Sequence, residues 1–144
     1  MRKTENLRVA TMAMQIAEAT YHATRSFPPD EKFGLVSQMR RAAVSIGSNI
    51  SEGCGRSSET QLLYFCQVAS GSASELEFQA RLALRLTFGV PSELERLCDM
   101  LGSERRMLGR LSTRMRTHAK DVVHTGATGH PHAPNSAARS ADAG

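Results

Sequence analysis

Residues 58–88 read SETQLLYFCQVASGSASELEFQARLALRLTF, and within them Leu62, Cys66, Ala69, Ala73, Leu76, Ala80, Ala83 and Thr87 recur only at steps of three and four. That spacing puts all eight side chains on one stripe of an α-helix. Ser57 or Ser58 is placed to cap the start, its hydroxyl accepting from a first-turn amide. The helix then spans residues 58–88, roughly 45 Å at about 1.5 Å per residue. Ala69, Ala73, Ala80 and Ala83 predict the close approach of a neighbouring helix, because little side chain separates the two backbones.

The same period continues on both sides of this stretch. Before it, the glycines from Gly53 to Gly55 end a segment over 31–53, in which Leu35, Met39, Ala42, Ile46 and Ile50 form the stripe. Asp30 is its N-cap by residue type. Pro28-Pro29 closes an earlier segment over 7–26, since the residue before a proline is pushed out of the α region. That segment carries two neighbouring seams: Leu7, Ala10, Met14, Ala17 and Tyr21, and then Val9, Ala13, Ile16 and Thr20. Two seams predict a wide buried face. After the central stretch, Gly89-Val90-Pro91 leads into a segment over 92–116, with Ser92 as N-cap and Glu95 at capping-box spacing. Leu94, Leu97, Cys98, Leu101, Leu108, Leu111 and Met115 form its stripe. Glu104 falls on that stripe, which predicts either a locally open core or a cationic partner across the interface. No alternating run with hairpin turns predicts a strand. Four helices with short connections make an all-α, up-and-down antiparallel four-helix bundle over 1–117. Residues 118–144 hold four of the five histidines and few large apolar residues, and are expected to be disordered.

A chain of 144 residues is one domain's worth. Its 18 Lys and Arg against 14 Asp and Glu give a net charge of +4. The excess is +3 in residues 1–56 (8 basic, 5 acidic) and +1 in residues 57–117 (8 basic, 7 acidic). Three cysteines without a CxxC pair argue against a disulfide framework and for a reducing compartment. The polar residues after Met1 predict no secretory signal, and no run reaches the roughly 20 apolar residues of a membrane span. A cytoplasmic location is expected.

The middle of the chain resembles a known family. Phe27-Pro28-Pro29, Gly34-Leu35-Val36-Ser37-Gln38-Met39-Arg40-Arg41-Ala42-Ala43-Val44-Ser45-Ile46, Ser48-Asn49-Ile50 and Glu52-Gly53 are similar to the signature of the bacterial four-helix-bundle, or ribosomal RNA intervening-sequence, protein family. Gly55-Arg56, Ser58, Phe65, Ala69, Gly71-Ser72, Glu75-Leu76-Glu77 and Gln79 extend the match, which covers residues 7–116. Gly47 stands where proline is usual and Ser51 where alanine is usual. The resemblance implies a cytosolic, non-enzymatic bundle and a homopentamer. Distant relatives include accessory proteins of diversity-generating retroelements, which look like nucleic-acid-binding pentamers.

The residues give catalysis little support. Glu75 and Glu77 lie two apart and cannot converge on one substrate. Glu77 has Arg81 four residues on, an ordinary helix-surface pair. Asn49, Glu52, Glu75, Gln79 and Glu104 are the candidates for a buried polar network that sets helix register. His22 reads as a solvated side chain. His118, His124, His130 and His132 could bind metal adventitiously but define no site, so no metal and no cofactor are expected. Cys66 and Cys98 read as core residues, and Cys54 as a thiol without a nearby histidine in sequence. Ser51 to Ser58 lacks phosphate-loop spacing and follows a helix, which leaves a glycine-rich turn or at most a single phosphate contact.

The strongest functional candidate is a basic surface made by Lys32, Arg40, Arg41 and Arg56, with Arg2, Lys3 and Arg8 nearby. Arg40 and Arg41 point about 100° apart, so at most one can face the core. A ring of five copies would multiply +4 into +20 and attract RNA or DNA phosphates without reading bases. The alternative is a structural or adaptor role, with a protein partner supplying the activity. Tyr64 is the one evident stacking aromatic, and no membrane association is expected because the basic residues do not oppose a single apolar face.

Overall fold

Four helices account for the core: α1 (Arg2–Thr24), α2 (Leu35–Cys54), α3 (Glu59–Arg85) and α4 (Pro91–Gly126), with one 3-10 turn at Pro29–Glu31. The computed structural model describes residues 2–126, and no strand occurs among them. Each helix packs on the next and α4 closes back on α1, with no diagonal contact between α1 and α3 or between α2 and α4. The chain is therefore an all-α, up-and-down four-helix bundle.

The α3 stripe is the core's spine. Leu62, Cys66, Ala69, Ala73, Leu76, Ala80 and Ala83 are all buried, and Ser58 caps the helix by accepting from the Gln61 amide at 3.4 Å. The stripe ends one turn earlier than its spacing suggests. Thr87 takes φ 59°, and the amides of Phe88 and Thr87 bond back to the carbonyls of Ala83 and Leu84 at 2.9 and 3.1 Å. This pair of reversed bonds is the Schellman closure, which favours glycine at the left-handed position. A β-branched threonine is strained there. Thr87→Gly is expected to raise stability by about 1 kcal/mol in chemical denaturation. A loss of stability would show that the Thr87 hydroxyl, 2.6 Å from the Leu86 carbonyl, outweighs the backbone strain.

Other boundaries move for local reasons. The first helix starts at Arg2, five residues before the expected 7. The second starts at Leu35 and not at 31, because Pro29 to Glu31 close a 3-10 turn. Glu31, not Asp30, then serves the start of α2: its carboxylate accepts from the Leu35 amide at 2.9 Å. In α4, Pro91 occupies the first helical position, where its missing N–H costs nothing, so Ser92 lies inside the helix and is not its cap. The same helix continues to Gly126, taking in residues 118–126 of the segment expected to be disordered. A contact between His118 Nδ1 and Glu59 Oε2 at 3.3 Å ties it to the start of α3. Residues 127–144, with His130 and His132, lie outside the described residues.

Of the two seams on α1, Val9, Ala13, Ile16 and Thr20 are buried with Ala23. The other is largely bare: Leu7 is 66% and Met14 64% exposed, and Tyr21 is exposed too. A corner helix of a four-helix bundle has two neighbours, here α2 and α4, and one seam satisfies both. Ala10, Met14 and Ala17 of that seam line an apolar groove of about 770 Å³ with Val44 and Gly47 of α2.

Candidate nucleic-acid interface

The connection between α1 and α2 builds the site. Phe27 is buried and packs on Phe88, ring centres 5.9 Å apart, which anchors the end of α1. Pro28 and the 3-10 turn swing the chain outward, so that Phe33 is 89% exposed, with the Lys32 ammonium 5.4 Å from its ring centre. One turn into α2, Arg40 reaches back to α1. Its Nε donates to Thr24 Oγ1 at 2.9 Å, and its guanidinium lies 4.6 Å from the centre of the Tyr21 ring. Thr24 is fixed in turn by donating to the Thr20 carbonyl at 2.8 Å. Arg41, the next residue, is exposed. Tyr21, Lys32, Phe33, Arg40 and Arg41 line one open depression of about 640 Å³. Three cations and two accessible aromatic rings thus share one surface, a combination suited to phosphates and base faces together.

Arg56 is not part of it. It lies two residues past the end of α2, some 16 residues from Arg40, in an ion pair with Glu52 and 5.6 Å from the Phe65 ring centre. It lines the apolar groove between α1 and α2 instead.

The profile of the 23S rRNA-intervening sequence protein family matches residues 5–110, about three quarters of the chain. The chain belongs to that family. A crystal structure of a protein of unknown function from the S23 ribosomal protein family of Bacteroides thetaiotaomicron is similar in fold, with a TM-score of 0.70 at 19% identity. The alignment covers 76% of this chain and 98% of that one. No curated protein sequence matches. Among the described residues, no helix is long and apolar enough to cross a membrane.

In this intervening-sequence family member, the five candidates for a polar network do not form one: Glu75 and Gln79 meet, and Asn49, Glu52 and Glu104 each lie apart from them. Asn49 donates to the Ser45 carbonyl and hydroxyl at 2.8 and 3.1 Å, and Ser45 meets Ser72 of α3 at 2.9 Å. That small cluster joins α2 to α3 through Ser45 and Ser72. Glu52 is exposed and pairs with Arg56. Glu75 is also exposed and accepts from the buried Gln79 at 3.3 Å, while the Gln79 carbonyl oxygen has no partner. Glu104 is fully buried, and neither carboxylate oxygen has a hydrogen-bond partner. Neither the open core nor the cationic partner expected for it is present among the described residues, and burial pushes its pKa up to about 8.

Glu77 does pair with Arg81, at 3.0 Å, and also with Arg105 of α4, at 2.6 Å. Hydrogen bonding from Arg81, joined by Arg105, holds its carboxyl below the usual range. His22 is exposed and bonds Glu93 at 3.0 Å, linking α1 to α4. Partial burial raises the Cys54 thiol above its ordinary pKa, the wrong direction for a reactive thiolate. Among the described residues, no three His, Cys, Asp or Glu side chains are grouped to hold a metal.

Sequence reasoning did not find Tyr21 and Phe33 as exposed aromatics beside the cations. Tyr21 carries the helical period of a core seam, and its partnership with Arg40 spans 19 residues across a turn whose direction the sequence does not state.

Proposed function

We propose that the protein is a non-enzymatic, self-assembling nucleic-acid-backbone binder of the cytoplasm, engaging unpaired RNA or DNA at the depression formed by Tyr21, Lys32, Phe33, Arg40 and Arg41. The observation that carries this reading is the convergence of three cations with two accessible rings on one concave surface. Cations there neutralise phosphates and release counterions, and the rings offer faces on which bases of any identity stack. Arg41 and Phe33 are the residues to test, because Arg40 also holds Thr24 and Tyr21 in place. Phe33→Ala is expected to weaken binding of a single-stranded oligonucleotide roughly five- to 150-fold, since stacking is worth about 1–3 kcal/mol per base, and Arg41→Ala is expected to weaken it by removing a phosphate contact. Arg41→Ala should also make the dependence on salt shallower. Wild-type affinity and salt dependence in both variants would overturn the assignment.

Self-assembly is supported by the bare α1 seam and the apolar groove beside it. The occupant we propose is a second copy of the chain, five in a ring being what the family resemblance implies. A ring needs head-to-tail contacts that close by rotation, and hence a second apolar strip on each subunit. Met14→Glu puts a charge in that strip and is expected to yield a folded single chain of 15.7 kDa by sedimentation, against about five times that mass for the unaltered protein. Equal masses for the two would remove the groove from the assembly. An adaptor that acts only through protein partners is the reading left if no nucleic acid binds.

A further inference from the structure

The outer face of α4 is a second and different charged surface. Residues 105–120 contain Arg105, Arg106, Arg110, Arg114, Arg116 and Lys120, and no acidic residue. At 100° per residue, these six cover about half the helix circumference, opposite the buried stripe of Glu104, Leu108, Leu111 and Met115. Arg106, Arg110 and Arg114 follow one another at about 6 Å along the axis. Two of the six meet carboxylates: Arg105 pairs with Glu77 and Arg114 with Glu5. Arg106 donates to the Ser103 hydroxyl at 3.2 Å. Arg110, Arg116 and Lys120 have no carboxylate partner among the described residues. Arg8 of α1 joins Arg110 and Arg114 along a groove of about 340 Å³.

Helix stability does not account for this stripe. Like charges four residues apart disfavour a helix. The macrodipole favours cations only in the last turn, and Arg106 and Arg110 lie 20 and 16 residues before Gly126. The stripe also differs in kind from the depression at the other end of α1. No Phe, Tyr or Trp occurs after Phe88, so the only aromatic rings on α4 are the imidazoles of His118, which contacts Glu59, and His124. A row of cations with no large aromatic ring beside it, in which Arg106 and Arg110 meet no carboxylate among the described residues, suits a regular array of phosphates whose bases are already paired.

We infer that the basic face of α4, with Arg8, binds the phosphate backbone of double-helical nucleic acid, while the depression takes unpaired strand. The partner class is then a nucleic acid that presents both, such as a stem with a single-stranded extension. This inference rests on the nucleic-acid reading above, and its test separates the two. The probes are a blunt duplex and a single-stranded oligonucleotide, each titrated over a range of salt. The proteins are the unaltered chain, Arg106→Gln/Arg110→Gln/Arg116→Gln, and Phe33→Ala/Arg41→Ala. The three arginines are exposed and glutamine keeps the helix, which circular dichroism checks.

The glutamine triple variant is expected to lose at least tenfold in duplex affinity. Its log–log salt slope should be shallower by about 3, near 0.9 per phosphate contact, with single-strand binding unchanged. Replacing the same three residues by lysine should restore duplex binding, since point charges suffice. Duplex binding by the glutamine variant with unaltered affinity and slope overturns the inference. So does an unaltered protein that binds single strand but no duplex, and that outcome leaves the depression's role standing. Duplex binding that the triple variant loses, together with single-strand binding indifferent to Phe33 and Arg41, upholds the α4 surface and overturns the depression. An unaltered protein that binds neither probe overturns both.

Discussion

Glu104→Leu is expected to stabilise the protein at neutral pH, and the gain should grow as pH rises. The carboxyl is fully buried in the α4 stripe without a hydrogen-bond partner, and its pKa is pushed up to about 8 from an ordinary 4.5. A folded-state pKa above the unfolded one means that the folded protein holds the extra proton. The stability associated with that proton is fully present below pH 4.5 and is lost as pH rises through the folded pKa. Each pH unit inside the window costs about 1.4 kcal/mol, or roughly 3 kcal/mol by pH 7. Cys66, whose thiol burial pushes up to about 11, does not titrate in that window.

Leucine removes both the titration and the unpaired oxygens, and replacing a buried charge by a well-packed apolar group is commonly stabilising. Denaturation of the two proteins from pH 5 to 7.5 should show a gap widening by roughly 3 kcal/mol. Glu104→Gln should flatten the pH dependence and recover less stability, because its amide is also left unpartnered. A gap independent of pH would mean that Glu104 titrates normally and that water or a cation reaches it.

Leu76→Ala is expected to have the opposite effect, a loss of roughly 3–5 kcal/mol. Between Ala69 and Ala83 on the stripe, Leu76 is the one large side chain, flanked by the fully buried Ala69, Ala73, Ala80 and Ala83. The alanines already bring α3 close to its neighbours, so the helices cannot move inward to fill the space a truncated leucine leaves. The cavity term then adds to the lost transfer free energy. Against a typical total of about 5–15 kcal/mol, that is a large fraction of the stability. Denaturant titration measures it. A loss under about 1.5 kcal/mol would show that the bundle collapses around the site.

These two residues mark what the sequence makes legible. The α3 stripe is read from spacing alone, because a helical period and a run of small residues depend on local geometry and volume. Glu104 is legible as an anomaly on its stripe, but not its solution, since whether a cation faces it depends on three other helices. The α1 seams show the same limit: the period marks both, and only the number of neighbouring helices decides which one is buried. Helix ends depended on specific caps, with Glu31 and Pro91 acting where Asp30 and Ser92 were expected.

The candidate site was half legible. Lys32, Arg40 and Arg41 are brought together, and Arg56 is carried to the far end of α2. The α4 arginines were hidden by averaging. Residues 57–117 nearly balance, yet every acidic residue in that span lies at or before Glu104, and the span's last five arginines all follow it. Charge read in windows of two or three turns finds this split, and charge read by halves of the chain does not.

The central claim is that the protein binds nucleic-acid backbone. Titration of the purified, nucleic-acid-stripped and untagged protein against structured RNA and DNA at several salt concentrations tests it most directly. Binding at micromolar concentration or tighter, with the logarithm of affinity falling linearly against the logarithm of salt, is the predicted result. An absence of binding at low salt would contradict the account and direct the search for a partner to proteins.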